Sequence, residues 1–207
     1  MPGHEQSWDA LWRSLRVDRV DPTLLAALLT RYAEPQRRYH TLQHLDACLA
    51  HFATLRDQAQ HPEEVELALW FHDAIYDIGA SGNEARSADW AREALLSAGG
   101  DAQAAQRVHD LVMVTCHDVA PRTRDQEVLL DVDLSILGAK PQAFDVYEEQ
   151  IRAEYASVPQ DAFRSRRRRI LQQFLDRPRI YHTPQFHGQF EAQARDNLAR
   201  SIRQLGD

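Results

Sequence analysis

The sequence predicts an all-α protein, and three observations lead to that fold class. Apolar residues recur at spacings of three and four along nearly the whole chain, as they do on the buried face of a helix. The period-two alternation that is typical of strands is scarce. Several prolines stand directly before apolar-periodic runs, where the first turn of a helix tolerates them. We therefore expect one all-helical domain over residues 1–207, with its core at about 22–175 and a last helix at 185–205 packed on that core.

The composition is that of an ordinary globular protein and excludes several functional classes. Hydrophobic residues make up 43% of the chain and charged residues 27%, which is enough to close a core. The net charge of -7 argues against a nucleic-acid partner or an anionic membrane surface. No apolar run approaches a membrane span, and no signal peptide is evident. The two cysteines, Cys48 and Cys116, lie in apolar helical patterns and are expected to be buried reduced thiols, which suits a cytoplasmic protein.

The first two helices are predicted from an apolar face and from their end residues. The apolar positions between Trp8 and Leu15 repeat at three and four, so the first helix covers them. Asp21 is expected as the N-cap of the second helix, with Pro22 in its first turn. That helix should end near Glu34, because the residue before a proline is pushed out of the helical region.

The third and fourth helices carry the first candidate site residues. Thr41 is a suitable N-cap for the third helix and places His44 one turn inside it. Pro62 opens the fourth helix and is followed by two glutamates that suit the positive end of the helix dipole. This fourth helix is predicted to carry His72 and Asp73 at the end of its apolar run.

The remaining helices are predicted from caps, prolines and glycines in the same way. They comprise a helix over 84–98 that ends at two glycines, a long helix from Asp101 to about His117, a mainly apolar run over 127–137, helices opened by Pro141 and Pro159, and the last helix at 185–205. No internal repeat or long linker divides the chain.

His72 and Asp73 are polar residues in an apolar run, where an unpaired polar group is costly. A divalent cation is one partner that would satisfy both, since imidazole and carboxylate are metal ligands. With His44 and Asp133, they give two imidazoles and two carboxylates. On a helix, the two neighbours are about 100° apart, so both reach one ion only if it lies over the edge between them. A buried polar network without an ion is the alternative.

The order of these residues resembles the HD superfamily of metal-dependent phosphohydrolases. Residues 39–44 read Tyr-His-Thr-Leu-Gln-His and resemble the Tyr-His-x-x-x-His segment of its cyclic-nucleotide phosphodiesterase branch. Residues 133–135 read Asp-Leu-Ser and are similar to the segment that carries the last metal ligand in that branch. Residues 72–77, the Asn-Glu at 83–84 and the run from 131 to 138 extend the likeness to a bacterial group of HD phosphohydrolases over most of 30–200.

The resemblance implies a compact HD-type helical bundle that holds a divalent metal ion and hydrolyses a phosphoester. The implied metal ligands are His44, His72, Asp73 and Asp133. The ion could be manganese, magnesium, iron, cobalt, nickel or zinc, and it would activate the water that attacks phosphorus. The implied substrate is a small-molecule phosphoester, with a nucleotide as the expected class. Asp131 competes with Asp133, and because they lie two residues apart on a helix, only one should reach the ion.

Two residues have catalytic roles by the same resemblance. His40 is expected as the general acid that protonates the leaving oxygen, and a surface histidine beside an N-cap is the alternative. Asp77 is expected to orient the attacking water. In the guanosine-tetraphosphate hydrolase branch, a Glu-Asp pair follows the His-Asp pair, whereas this chain has Tyr76 before Asp77. That difference makes guanosine tetraphosphate a less expected substrate.

Four further residues are candidates for binding the substrate. Arg37 and Arg38 could hold a phosphate, although a solvated arginine pair is the alternative. Glu84 could contact a water in the site or merely favour a helix N-terminus. His117 could be a further site residue or could stabilise the end of its helix. The arginine-rich stretch at 164–169 is expected to be solvated or substrate-facing.

Two other functions compete with the phosphohydrolase hypothesis. A non-catalytic protein that binds a metal or senses a ligand would keep the same residues without turnover. A di-iron HD oxygenase would need more ligands than the sequence places. A homo-oligomer is compatible with each of these functions.

Overall fold

The structure, a computed structural model, describes residues 2–17 and 19–206, and every regular element in those ranges is helical. The all-α prediction is confirmed. The α-helices of this part of the chain are α1 Pro2–Ser14, α2 Leu24–Tyr32, α3 Leu42–Leu55, α4 Pro62–Phe71, α5 Asn83–Ser97, α6 Ala102–Met113, α7 Arg124–Asp133, α8 Pro141–Glu154, α9 Gln160–Leu175 and α10 Pro184–Gly206. Short 3₁₀ helices cover Arg56–Gln58, Val114–Cys116 and Leu134–Gly138.

The chain forms two compact units, Met1–Leu129 and Leu130–Asp207, and the boundary between them falls inside α7. The first unit holds α1 to α6 and the second holds α8 to α10. The expectation of one domain over residues 1–207 stays a prediction. No helix in the ranges that the structure describes is both long and apolar enough to cross a membrane.

Helix α4 lies at the centre of the first unit. It packs against α1, α3, α5 and α6. Val65 and every residue from 67 to 71 are fully buried. The last five residues of α4 are apolar on every side, as in a helix surrounded by other helices, whereas its three glutamates lie in its first half. This packing places the residues directly after α4, among them His72 and Asp73, inside the unit.

The predicted helix starts are confirmed at several positions and wrong at one. The Thr41 side chain caps α3 by accepting a hydrogen bond from Gln43 N. The Asp101 carboxylate caps α6, and Pro62 opens α4. Asp21, however, is not the cap of α2. Its carboxylate accepts hydrogen bonds from both the backbone nitrogen and the hydroxyl of Thr23, which makes a turn before the helix begins at Leu24.

In the second unit, α10 packs against α9, α8 and the 3₁₀ helix Leu134–Gly138. Gly138 allows the closest approach, since a Cβ atom there would lie 2.5 Å from Cβ of Phe190. Asn197 on α10 donates hydrogen bonds to Leu137 O and Ala139 O at 2.9 and 2.8 Å. These contacts fix the segment after α7 against the last helix, whose predicted range is confirmed within one residue at each end.

Candidate metal centre

His72 and Asp73 lie in the turn that follows α4 and not within the helix. The helix ends at Phe71, and His72 is its C-cap. The prediction that the helix carries both residues is therefore wrong. His72 keeps helical dihedrals, with φ of -54° and ψ of -37°, and its Nε2 lies 3.1 Å from Asp73 Oδ2.

Side-chain donors hydrogen-bond to two carbonyls in the last turn of α4, which a helix end would otherwise leave without partners. The Tyr32 hydroxyl donates to Trp70 O at 3.2 Å. Burial raises the pKa of Tyr32 to about 12, so the hydroxyl remains a neutral donor. His72 Nδ1 donates to Leu69 O at 2.7 Å. Because a carbonyl only accepts, Nδ1 carries a proton, and Nε2 is the ring nitrogen that can exchange a proton for a metal ion.

Arg37 holds the turn itself. Its guanidinium donates to Asp73 O at 2.6 Å, to Ala74 O at 3.0 Å and to His40 O at 3.1 Å, and the residue is only 2% exposed. These contacts place Asp73 and give Arg37 a structural role that its sequence position did not indicate. Phosphate binding by Arg37 stays a prediction, as does phosphate binding by the exposed Arg38.

Three ligand atoms converge at this turn. His44 Nε2 lies 3.1 Å from His72 Nε2 and 3.4 Å from Asp73 Oδ2. His72 Nε2 lies 3.1 Å from Asp73 Oδ2, so the three atoms form a nearly equilateral triangle. Metal–ligand bonds of 2.0–2.2 Å require ligand atoms about 2.8 to 3.6 Å apart in octahedral or tetrahedral geometry. The triangle already has that size. The cluster could hold a divalent metal ion.

The carboxylate of the triangle is ionised. Burial raises the pKa of Asp73, but the positive charges of His72 and His40 and hydrogen bonds from His44 and His72 outweigh burial and hold the pKa well below its usual range. A carboxylate kept ionised between imidazoles is suited to bind a cation.

Cys48 is part of the cluster, and the sequence analysis missed it. Its sulfur lies 3.7 Å from Nε2 and 3.8 Å from Nδ1 of His44, and ligand atoms of His44, Cys48 and His72 all lie within 4.8 Å of one another. Both cysteines of the chain are free thiols, and Cys48 is buried. The spacing of four residues from His44 was the available signal, because it puts both side chains on one helix face.

His40 lies directly before α3, next to the triangle. Its ring stacks on Tyr76 with centroids 4.0 Å apart, and its centroid is 6.0 Å from that of His44. The stack fixes the orientation of the imidazole. His40 therefore lies next to His44, and its role as a general acid stays a prediction.

The other first-unit candidates are involved in local structure. The Asp77 carboxylate is exposed and pairs with Arg86 at 2.7 Å, while Asn83 bonds the Asp77 backbone. Glu84 lies in the first turn of α5. His117 follows the 3₁₀ helix Val114–Cys116 with a positive φ of 59° and ends it. Water orientation by Asp77 and substrate contacts by Glu84 and His117 stay predictions.

Asp131 and Asp133 lie in the second unit, and Asp131 has a structural role there. Its buried carboxylate accepts hydrogen bonds from His182 N and Thr183 N, both at 2.7 Å, and from the Thr183 hydroxyl at 2.6 Å. These bonds anchor the chain where α10 begins. Asp133 is the last residue of α7, and its role as a ligand stays a prediction.

Comparisons with protein-family models, with curated proteins and with solved structures find no match to this chain. The resemblance to the HD superfamily therefore rests on the motif residues quoted above, and membership stays a prediction.

Proposed function

We propose that the protein is a metal-dependent phosphohydrolase whose ion is bound by His44, His72 and Asp73. The observation that carries the proposal is the triangle of ligand atoms, with sides of 3.1, 3.1 and 3.4 Å, in the interior of the first unit. Two nitrogens and one oxygen suit a borderline or hard divalent ion with positions left for water and substrate. Asp133 is proposed as a further ligand from the sequence resemblance alone.

A bound divalent ion supplies Lewis acidity toward a phosphoryl oxygen and toward a water molecule. The chain's own part is to hold the ligand atoms in place before substrate arrives. Leu69 O fixes the ring of His72, and Arg37 fixes the backbone of Asp73. Ligands held by such outer contacts bind a metal more tightly than mobile ones.

His40 is proposed as the acid that gives a proton to the leaving oxygen. Its ring is held against Tyr76 and lies next to His44, so it can face a group bound at the cluster. The proposed substrate is a small phosphoester, and a nucleotide is the class that the sequence resemblance favours.

The test is a screen of the untagged protein, with manganese added, against nucleotides and generic phosphoesters. Asp73→Ala should abolish any hydrolysis, whereas Asp89→Ala, at an exposed aspartate, should retain it. Full activity in Asp73→Ala would refute the assignment. His40→Gln should lose about 100-fold or more on substrates with a poor leaving group and little on those with an activated one. An equal loss on both would remove His40 from the acid role.

One observation favours a second function, a metal-binding or ligand-sensing protein without turnover. The carboxylate expected to orient water, that of Asp77, is paired with Arg86. If the protein binds one ion per chain and hydrolyses none of the phosphoesters, this second function replaces the first. Spectroscopy of the protein as purified, which would reveal a bridged di-iron centre, tests the oxygenase alternative.

A further inference from the structure

We infer that Cys48 is a metal ligand, so that the centre prefers a thiophilic ion such as zinc or cobalt over magnesium or manganese. The inference rests on the metal centre of the proposed function and not on its phosphohydrolase chemistry. Cys48 is 1% exposed and lies one helical turn after His44 on α3. Its sulfur and one ring nitrogen each of His44 and His72 lie within 4.8 Å of one another.

The distances are close to those that coordination requires. A metal–sulfur bond of 2.3 Å and a metal–nitrogen bond of 2.0–2.1 Å put the two ligand atoms about 3.1 to 3.6 Å apart. The Cys48 sulfur is 3.7 Å from His44 Nε2, about a tenth of an ångström beyond that range, and no more than 4.8 Å from a ring nitrogen of His72. The sulfur is nearly equidistant from both ring nitrogens of His44, at 3.7 and 3.8 Å, which does not match a hydrogen bond directed at one of them.

The two histidines are therefore shared by two donor sets. Asp73 offers them an oxygen, and Cys48 offers them a sulfur. Carboxylate oxygen suits magnesium and manganese, whereas thiolate sulfur selects softer ions such as zinc. When the metal–sulfur bond forms, the thiol proton is released to solvent and no oxidant is needed.

The direct test is cobalt(II) titration of the metal-free, untagged protein. A thiolate bound to cobalt gives an intense near-ultraviolet charge-transfer absorption that imidazole and carboxylate ligands do not give. The wild type should show this absorption at saturation, and Cys48→Ser and Cys48→Ala should both lose it. Cys116→Ser is the matched control, because it removes the other cysteine of the chain and should leave the absorption unchanged.

Affinities measured in the same proteins sharpen the result. Cys48→Ala should weaken zinc and cobalt binding by about 10-fold or more and change manganese binding by less than about 2-fold. Retained manganese binding also shows that the variant is folded.

Three outcomes are distinguishable. Loss of the absorption in both Cys48 variants alone supports the inference. Cobalt binding by the wild type without the absorption overturns the role of Cys48 and leaves the histidine and aspartate ligands standing. If the wild type binds neither cobalt nor manganese, the inference and the proposed metal centre both fail.

Discussion

Asp73 and Asp131 look alike in the sequence and have opposite surroundings in the structure. Each is an acidic residue in or after an apolar helical run. The carboxylate of Asp131 is bound by two backbone N–H groups and a hydroxyl, all fixed parts of the second unit. The carboxylate of Asp73 faces two imidazole nitrogens at 3.1 and 3.4 Å.

The two carboxylates differ in whether a cation could take the place of the protons that their partners donate. The two backbone N–H groups that donate to Asp131 cannot exchange their protons for a metal ion. The imidazole partners of Asp73 can exchange a proton for a metal ion without moving the backbone, because Leu69 O and Arg37 hold the turn independently. A buried carboxylate is thus a candidate ligand when its partners are themselves ligands, and a structural anchor when they are backbone amides.

The largest effect is expected from Arg37→Ala, which removes the support of the Asp73 turn. Three carbonyl contacts are lost, and at about 1 to 3 kcal/mol for each buried group left unsatisfied, the free energy of unfolding should fall by roughly 3 to 5 kcal/mol. Urea unfolding measures it. Arg38→Ala, at the exposed neighbour, should change it by less than about 0.5 kcal/mol. Equal effects in both variants would contradict the role assigned to Arg37.

Asp73→Asn should weaken manganese binding by about 100-fold, roughly 2.7 kcal/mol, because a neutral amide replaces the only carboxylate of the triangle. Equilibrium dialysis measures the dissociation constant. The circular dichroism spectrum should remain that of the wild type. Unchanged affinity would show that Asp73 belongs with Asp131 among the structural carboxylates.

Asp131→Asn should have the opposite effects to Asp73→Asn, with lower stability and unchanged metal affinity. The amide replaces one of the two accepting oxygens by an N–H₂ donor that faces the backbone N–H of His182 or of Thr183, and the free energy of unfolding should fall by about 2 kcal/mol. Metal affinity should not change. Asp145→Asn, at an exposed partner of Arg200, is the control and should cost less than about 0.5 kcal/mol. Lost metal binding in a folded Asp131→Asn protein would break the comparison.

Glu191 is a second carboxylate that accepts hydrogen bonds from backbone N–H groups, but burial raises the pKa of Asp131 whereas the pKa of Glu191 is lowered. Burial raises the pKa of its carboxyl, but hydrogen bonds from Tyr181 N and Ile180 N and the nearby Arg195 outweigh burial and lower the pKa below its usual value. A pKa that is lower in the folded state gives stability that is present above the unfolded value of about 4.3 and is lost as the pH falls through the folded value.

Glu191→Gln should therefore cost about 1 kcal/mol at pH 7, and the difference from the wild type should shrink below about pH 4. Urea unfolding at both pH values measures this. A difference that grows on acidification would contradict the assignment of a lowered pKa.

Local signals in the sequence were sufficient for most of the fold. Thr41, Pro62 and Asp101 each mark a helix start because their chemistry acts on the next few residues. Asp21 failed because its carboxylate binds Thr23 in a preceding turn, which has the same sequence pattern as a cap. Neighbouring residues alone do not distinguish a helix N-cap from a turn that precedes the helix.

The site could be predicted only in part, because its decisive contacts join distant segments. His44 and His72 were identified as polar residues in apolar runs, and the structure places their Nε2 atoms 3.1 Å apart. The role of Arg37 depends on carbonyls 36 and 37 residues away, which no local pattern encodes. Cys48 was missed because a cysteine among apolar residues resembles a core thiol, and its spacing of four from His44 was the signal that set it apart.

Elemental analysis of the untagged protein, beside His72→Ala/Asp73→Ala and Asp131→Asn, tests whether His44, His72 and Asp73 bind a divalent ion. We expect about one divalent ion per chain in the wild type and in Asp131→Asn, and none in the double variant. No ion in any of the three proteins, even after soaking in manganese, zinc or iron, would contradict this expectation and leave a buried polar network at the end of α4.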